Sequence, residues 1–369
     1  MPIDNRESEK NAMIEHNKHQ TFKTDEIPCQ EISDPAVLSK NPLVSVHMIT
    51  YNHEKYIAQA IESALMQKTN FDYEIVIGED CSTDKTRKIV DTYAKKYPDK
   101  IKLILNEKNI GMIPNFIKTL NMCRGKYIAM LEGDDYWTDP YKLQKQVDFL
   151  ETNPDYGLVH SATDFLIEKK KKIIKWDKNN SIEVPQGYVF EKLLVNNFIR
   201  TLTVCVRLYL VLDYLNKYEN ELKNNWMMGD KPMWLEISRH TKIGYIPESL
   251  AVKRELEFSA MRSLDVEYRI KFFKSSYDVR FFFIEKYGCS AESTKKVLTN
   301  YYNRFLYYSF WLGDIQQAKK AYNNLIKTCK KIDKRNYIYY WGTKNYLIRF
   351  LVICLIRFIR TVVPKYNST

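Results

Sequence analysis

Four short apolar runs, LVSVHMIT, YEIVIGED, IKLILNE and KYIAMLEGDD, recur between residues 43 and 135, each followed by a stretch of helical character. No other feature limits the fold as strongly. Strands that alternate with helices pair in parallel, because an intervening helix carries the chain back to the same end of the sheet. The expected class is therefore α/β, a mostly parallel sheet with helices on both faces. In HEKYIAQAIESALMQ, Ile57, Ala60, Ile61, Ala64 and Leu65 fall on one face, with Asn52 placed to cap the helix. Ser82 or Thr83 is expected to cap TRKIVDTYAKKY, Pro114 opens PNFIKTLNMC, and Asp139 with Pro140 starts YKLQKQVDFLETN. GLVHSATDFLIEKKKKIIKW reads as a hairpin turning at Lys169 to Lys172, a solvated lysine tip.

The rest of the chain divides by composition. Residues 1–41 are polar and aperiodic, an expected flexible extension, and the α/β domain runs over 42–255. From 256 to 340 the chain is helical and aromatic, and 341–369 ends in NYLIRFLVICLIRFIRTVVPKYNST. GDIQQAKKAYNNLI looks like one unit of a helical hairpin repeat, without a second copy. A formal charge of +12 suits anionic partners such as nucleotide phosphates or acidic headgroups. The seven cysteines are scattered and form no C-x-x-C pair, which disfavours a disulfide framework or structural zinc and fits a reducing cytoplasm. MPIDNRESEKNAMIEHNKHQ has no apolar centre, so no secretory signal is expected there.

Ligands of open parallel sheets bind beyond the carboxyl ends of the strands. Here those ends carry Thr50, Tyr51 and Asn52, then Glu79, Asp80, Cys81 and Ser82, then Glu132, Gly133, Asp134 and Asp135. No strand is followed by G-x-G-x-x-G or by G-x-x-x-x-G-K-[ST], which disfavours a dinucleotide fold or a P-loop ATPase. A phosphate ligand would then need another source of positive charge. The carboxylates of LEGDDYW offer hard oxygens suited to Mg²⁺ or Mn²⁺, with diphosphate oxygens and waters completing the shell.

Taken in order, VSVHMITYNHEKYIAQAIESALMQ, YEIVIGEDCSTDKT and NEKNIGMIPNFIKTLNMCRGKYIAMLEGDDYW resemble a family 2 glycosyltransferase of the GT-A fold, over about 43–250. The resemblance implies an inverting, metal-dependent transfer from a nucleotide-diphosphate sugar, UDP by the family's habit, to a glycan or lipid-linked acceptor. It places Thr50, Tyr51, Asn52 and Glu54 in the nucleotide pocket, and Asp80 on the base with Glu79 beside it. Glu132 and Asp134 take the outer positions of the Asp-x-Asp motif around Gly133. Asp134 is the expected direct ligand of Mn²⁺ or Mg²⁺, and Asp135 a second ligand or a donor contact. Glu132 stands where many members have Asp, which leaves its role open between ribose and outer-sphere metal contact. Pro114 replaces a frequent Arg, so Lys108 and Arg124 are candidate substitutes for the missing cation. Asp230 in NNWMMGDKPMWLEISRH matches the acidic residue on the acceptor side and is the expected catalytic base. Trp226 and Trp234 beside it are either a sugar platform or core. Arg254, in AVKRELEFSAMR, is either a donor-diphosphate contact or a surface residue. His160 is either near the acceptor or a satisfied structural histidine, and His240 a contact at a helix C-terminus.

In the tail, Arg349, Arg357 and Arg360 lie at about 0, 80 and 20 degrees around a helix, opposite Leu, Ile, Phe and Val. The apolar run is too short to span a bilayer. Residues 344–363 are expected either to lie in a membrane interface or to pack on the preceding helices. The protein is thus expected in the cytoplasm, peripheral on the inner face of the membrane, without a nucleic-acid partner. Two other functions remain open. A sugar nucleotidyltransferase would need a glycine-rich loop where TYNHEKY stands, and a non-catalytic scaffold would predict an eroded acidic site.

Overall fold

A computed structural model describes residues 28–176, 183–256, 266–329 and 332–362. The chain divides into two compact units, Met1–Leu193 with Asn197–Ser276, and Leu194–Asn196 with Tyr277–Thr369.

The first unit is built on the four expected strands. They are β2 (Val44–Thr50), β3 (Tyr73–Glu79), β4 (Ile101–Asn106) and β5 (Tyr127–Met130). Helices α1 (Ile57–Leu65), α2 (Thr86–Lys96) and α3 (Met112–Asn121) alternate with them. The chain builds outward from β2 through β3 to β4, then returns so that β5 pairs with the other side of β2, all in parallel. That reversal between β2 and β5 is the point where an open α/β sheet forms its ligand crevice. The crevice therefore falls between Thr50 and the Leu131–Asp135 loop.

Residues 1–41 are not all extension. Cys29–Ile32 forms β1, an antiparallel edge strand on β4, while residues 1–27 lie outside the described region. β6 (Tyr136–Trp137), α4 (Lys142–Thr152), β7 (Tyr156–Ile167) and β8 (Lys172–Ile174) follow, and β7 and β8 make the expected hairpin. The turn is completed by Lys171 in the left-handed region, φ 47°. β9 (Cys205–Arg207) joins β5 to β7 antiparallel, and β10 (Lys242–Glu255) pairs parallel with β7.

Burial follows the period of each element. Ile57, Ala60, Ile61 and Ala64 of α1, Val90 and Ala94 of α2, and Leu143, Val147 and Leu150 of α4 pack with alternate strand residues such as Val46, Met48, Ile75 and Leu103. A fully buried Ile or Leu contributes roughly 1.5–3 kcal/mol, so this apolar face outweighs the weak helix ends. Those ends differ from expectation. α1 starts at Ile57 without a side-chain cap, because Asn52 bonds across to the next loop. α2 is opened by Asp84, whose Oδ1 accepts the Thr86 amide at 2.9 Å, in place of Ser82 or Thr83.

In the second unit, the end of α5 (Phe190–Val195), the later part of α6 (Val266–Tyr287) and four further helices carry the chain. The four are α7 (Ala291–Leu312), α8 (Ile315–Thr328), α9 (Lys334–Lys344) and α10 (Tyr346–Val362). Ser290, Asp314 and Asp333 cap α7, α8 and α9 through their side chains. Leu306, Ala318, Ala321 and Tyr340 form the core, and Tyr322 stacks on Tyr340 with ring centres 4.0 Å apart. Among the described residues no helix is long and apolar enough to cross a membrane.

Candidate active site

Gly133 sets the geometry of the crevice. Its amide donates to Ile49 O at 3.0 Å, and a Cβ there would lie 2.7 Å from Thr50 Oγ1 and 2.9 Å from His53 Nδ1. Only glycine lets the β5 loop come this close to the end of β2. Glu132 and Asp134 are thereby held on either side of the contact.

The carboxylates then crowd together. Glu132 Oε2 is buried without a hydrogen-bond partner. Burial pushes the Glu132 carboxyl up to about 7, repulsion from Asp134 and Asp230 adds to this, and Lys253 opposes it. Asp135 is raised well above the usual carboxylate range by burial first, then by Asp134 and Glu132, and again Lys253 opposes. Its Oδ1 accepts the Arg254 amide at 2.6 Å, which ties the cluster to β10. No hydrogen bond to a described residue holds the Asp134 carboxylate, which is partly exposed.

Asp230 belongs to this same electrostatic site. It opens the helix Asp230–His240, where its Oδ1 accepts the Lys231 amide at 2.7 Å and its Oδ2 accepts the Thr201 hydroxyl at 3.1 Å. Burial raises its pKa, while Thr201, Lys253 and Arg200 pull it down. Arg200 is itself lowered by burial, with Asp230 and Glu255 as its counter-charges. Lys253, Arg200 and Thr201 escaped the sequence reading.

The other expected site residues divide into those that shape the crevice and those that face away. Asn52 adopts the left-handed region (φ 56°), which Asn tolerates. Its amide donates to Ser82 Oγ at 3.0 Å, and its Oδ1 accepts the Thr83 amide at 2.9 Å. Glu54 makes a parallel stitch, accepting the Lys85 amide at 3.1 Å. Together they clamp the β2 loop to the β3 loop and leave Tyr51 exposed. Asp80 accepts the Ile110 and Gly111 amides, each at 2.9 Å, and so holds the loop after β4. Burial raises its carboxyl, while those bonds and Asn106 oppose.

Glu79 is wholly buried and saturated, by the Ser82 amide and by Arg87, both at 2.6 Å. Arg124 pairs with buried Glu74 at the opposite end of the sheet, so it cannot replace the cation absent at Pro114. Trp226 and Trp234 are core. His240 pairs with Glu236 at 3.3 Å.

Arg254 makes contacts of its own within the protein. Its guanidinium pairs with Glu168 at 2.9 Å, donates to Gln59, and lies over the rings of Tyr56 and Tyr136 at 5.0 and 4.9 Å, while its Nε is buried without a partner. These contacts clasp β10 to the hairpin tip and to α1. The neighbouring Lys253 is the cation whose charge acts on Glu132, Asp135 and Asp230.

Residues 45–207 match the model of glycosyl transferase family 2. An uncharacterized glycosyltransferase of Methanocaldococcus jannaschii is 34% identical over 213 residues, covering 57% of this chain and 69% of the relative. The chain belongs to glycosyl transferase family 2. Two further relatives match over a smaller share of their own length. An uncharacterized protein of Mycobacterium tuberculosis is 35% identical over 219 residues, 57% of this chain and 58% of the relative. The putative glycosyltransferase EpsE of Bacillus subtilis is 40% identical over 122 residues, 33% of this chain and 43% of the relative. The chain thus spans little more than half the length of the Mycobacterium relative. The family assignment also carries the GT-A expectation for the mostly parallel sheet.

Proposed function

We propose that this protein transfers a glycosyl group, with inversion, from a nucleoside diphosphate sugar to a hydroxyl of a glycan or lipid-linked acceptor. The observation that carries the reading is one electrostatic site, at the reversal point of the sheet, that joins Glu132, Asp134, Asp135 and Lys253 to Asp230. A UDP-sugar is the first donor to test.

The residues suit a divalent ion, Mn²⁺ or Mg²⁺. Their oxygens are hard, Glu132 Oε2 has no partner, and mutual repulsion is relieved by a positive charge. Among the described residues no three Asp, Glu, His or Cys side chains converge enough to hold a metal by themselves. Asp134 would hold the ion, with Asp135 and Glu132 beside it. When bound, the ion supplies Lewis-acid stabilisation of the departing diphosphate.

The chain's own residues account for the remaining steps. Asp230 takes the acceptor hydroxyl proton as that oxygen attacks the anomeric carbon and the bond to the diphosphate breaks. Its raised pKa makes it a stronger base than a solvated carboxylate, and Thr201 fixes its orientation. Lys253 lowers the Glu132 carboxyl and so favours its charged, ion-binding form.

The exposed face of α10, with Leu347, Phe350, Leu351 and Leu355, supports peripheral contact of residues 344–363 with the inner face of the cell membrane. Arg349 points the other way, against Gly313 at the end of α7. The side chains of Arg357 and Arg360 lie outside the described residues.

The decisive experiment incubates the protein with a panel of nucleotide sugars and Mn²⁺ and follows nucleoside diphosphate release. Asp230→Asn should abolish transfer and leave donor binding intact, whereas Asp134→Ala should remove metal-dependent donor binding. Full turnover by Asp230→Asn would refute the base assignment.

A further inference from the structure

Buried polar side chains without partners are rare in folded proteins, and a group of them marks a place where something else supplies the hydrogen bonds. One such group lies beside the proposed active site. His160 of β7 is 1% exposed, yet neither Nδ1 nor Nε2 has a partner. Tyr245, its register neighbour on β10, has its ring 5.0 Å away and a buried, unpartnered hydroxyl. Trp176 meets Tyr245 edge-on at 6.4 Å, with Nε1 also buried and unpartnered. Phe198 packs on His160 with ring centres 5.9 Å apart, which makes a continuous row of four rings. Four polar atoms from three adjoining rings are thus left over along this aromatic row. Elsewhere among the described residues, the unpartnered ring nitrogens of Trp234 and Trp311 occur singly within their clusters.

The row adjoins the reaction centre. The charge of Arg200 acts on both His160 and Asp230, which places the guanidinium near each of them. The backbone carries the same link, since Phe198, Arg200 and the Asp230 partner Thr201 follow one another closely in the chain.

We propose that His160, Tyr245, Trp176 and Phe198 form a seat for a neutral sugar ring of the acceptor, next to Asp230. The assignment of the ligand as an acceptor rests on the glycosyl transfer proposed above. The chemistry of the seat selects a carbohydrate. Aromatic rings pack against the apolar C–H face of a pyranose, and the indole N–H, phenol and imidazole can exchange hydrogen bonds with its hydroxyls. It also selects for neutrality. Burial pushes His160 down to about 3, so the imidazole is uncharged and offers one donor and one acceptor. Arg200 already has Asp230 and Glu255 as counter-charges. A uronic carboxylate against these rings would be desolvated without an adequate partner.

The test uses saturation-transfer NMR on the full chain with UDP and Mn²⁺ present. The probes are the methyl glycosides of glucose, galactose and N-acetylglucosamine, with methyl glucuronide as the charged control. At least one neutral glycoside should bind, and the glucuronide should bind at least tenfold more weakly. His160→Phe should abolish binding, and Tyr245→Phe, which removes a single oxygen, should weaken it at least fivefold. UDP affinity by calorimetry should stay within twofold in both variants. The proposal is overturned if no neutral glycoside binds the wild type, if both variants bind glycosides as the wild type does, or if the glucuronide binds equally well. Calorimetry on the same samples separates this proposal from the transfer reading. Glycoside binding without nucleotide binding would remove the transfer reading and keep the seat, and the reverse would remove only the seat.

Discussion

Replacing Arg254 discriminates most sharply between a clasp and a phosphate contact. The Arg254 and Glu168 side chains are 6% and 13% exposed, so removing one strands the other in a largely desolvated place. Breaking a buried pair in this way costs about 3–5 kcal/mol. Glu168 has a second partner, Lys171, at the hairpin tip, which moves the expectation for Arg254→Ala to about 3 kcal/mol, the low end of that range. Losing the contacts with Tyr56 and Tyr136 adds roughly 0.5–1 kcal/mol each. Arg254→Lys keeps the charge but cannot reach Glu168 and Gln59 together, and should cost about 1–2 kcal/mol. Urea unfolding at 25 °C measures each value, and the Arg254→Ala/Glu168→Ala cycle should show coupling of roughly 1–3 kcal/mol. Donor affinity in the folded variants should change less than threefold, because the Asp135 bond uses the main-chain amide of residue 254. Arg254→Ala with stability within 0.5 kcal/mol of wild type and donor binding weakened tenfold or more would refute the clasp, for then the guanidinium serves the diphosphate.

Three further outcomes follow from the acidic site and one from α10. Folding raises the Glu132 carboxyl from 4.5 to about 7, so that group favours the folded state less as pH climbs from 4.5 to 7. Without divalent ions, Glu132→Gln should therefore be more stable than wild type at pH 8 by up to about 3 kcal/mol, the gap closing towards pH 4.5; a gap independent of pH in urea titrations would contradict this. Lys253→Met removes the cation that lowers Glu132, Asp135 and Asp230, and should move the acid limb of the pH–rate profile upward by about half to one unit. Gly133→Ala forces a Cβ to within 2.9 Å of Thr50 Cβ, which a strand residue cannot avoid, and should cost about 1–3 kcal/mol with weaker Mn²⁺-dependent donor binding. Leu351→Glu with Leu355→Glu should abolish co-sedimentation with anionic lipid vesicles, and undiminished co-sedimentation would exclude this face as the membrane contact.

The strands and the acidic cluster were legible because they rest on local signals. Apolar runs that give strands of four to seven residues between helical stretches admit few arrangements, and the reversal between β2 and β5 then brings Thr50 next to Gly133. The helix caps were less legible because Asn52 and Asp84 serve contacts from loop to loop, which a local rule cannot foresee. Glu79 and Asp80 are adjacent, yet one is neutralised by Arg87 and the other holds the loop after β4. Distinguishing them required knowing which way each side chain leaves the strand.

Residues 253 and 254 show the limit most clearly. Side chains alternate along a strand, so the two neighbouring cations leave β10 in different directions, Lys253 acting on the carboxylates and Arg254 reaching Glu168. Counting parity along β10 from Tyr245 would not have helped. The register against β7 shifts between Ile246 and Ser249 and again between Ser249 and Val252. Each irregularity inserts residues on one strand and can reverse the alternation beyond it. The same shifts let one strand place Tyr245 beside His160 and, eight positions on, Lys253 beside the carboxylates. The irregular strand thus joins the proposed sugar seat to the acidic site. Pro247 falls at the first of these shifts and is the residue of PESLAVKRE that marks a break, because a proline inside a sheet sits at an edge or a bulge; nothing in ESLAVKRE marks the second.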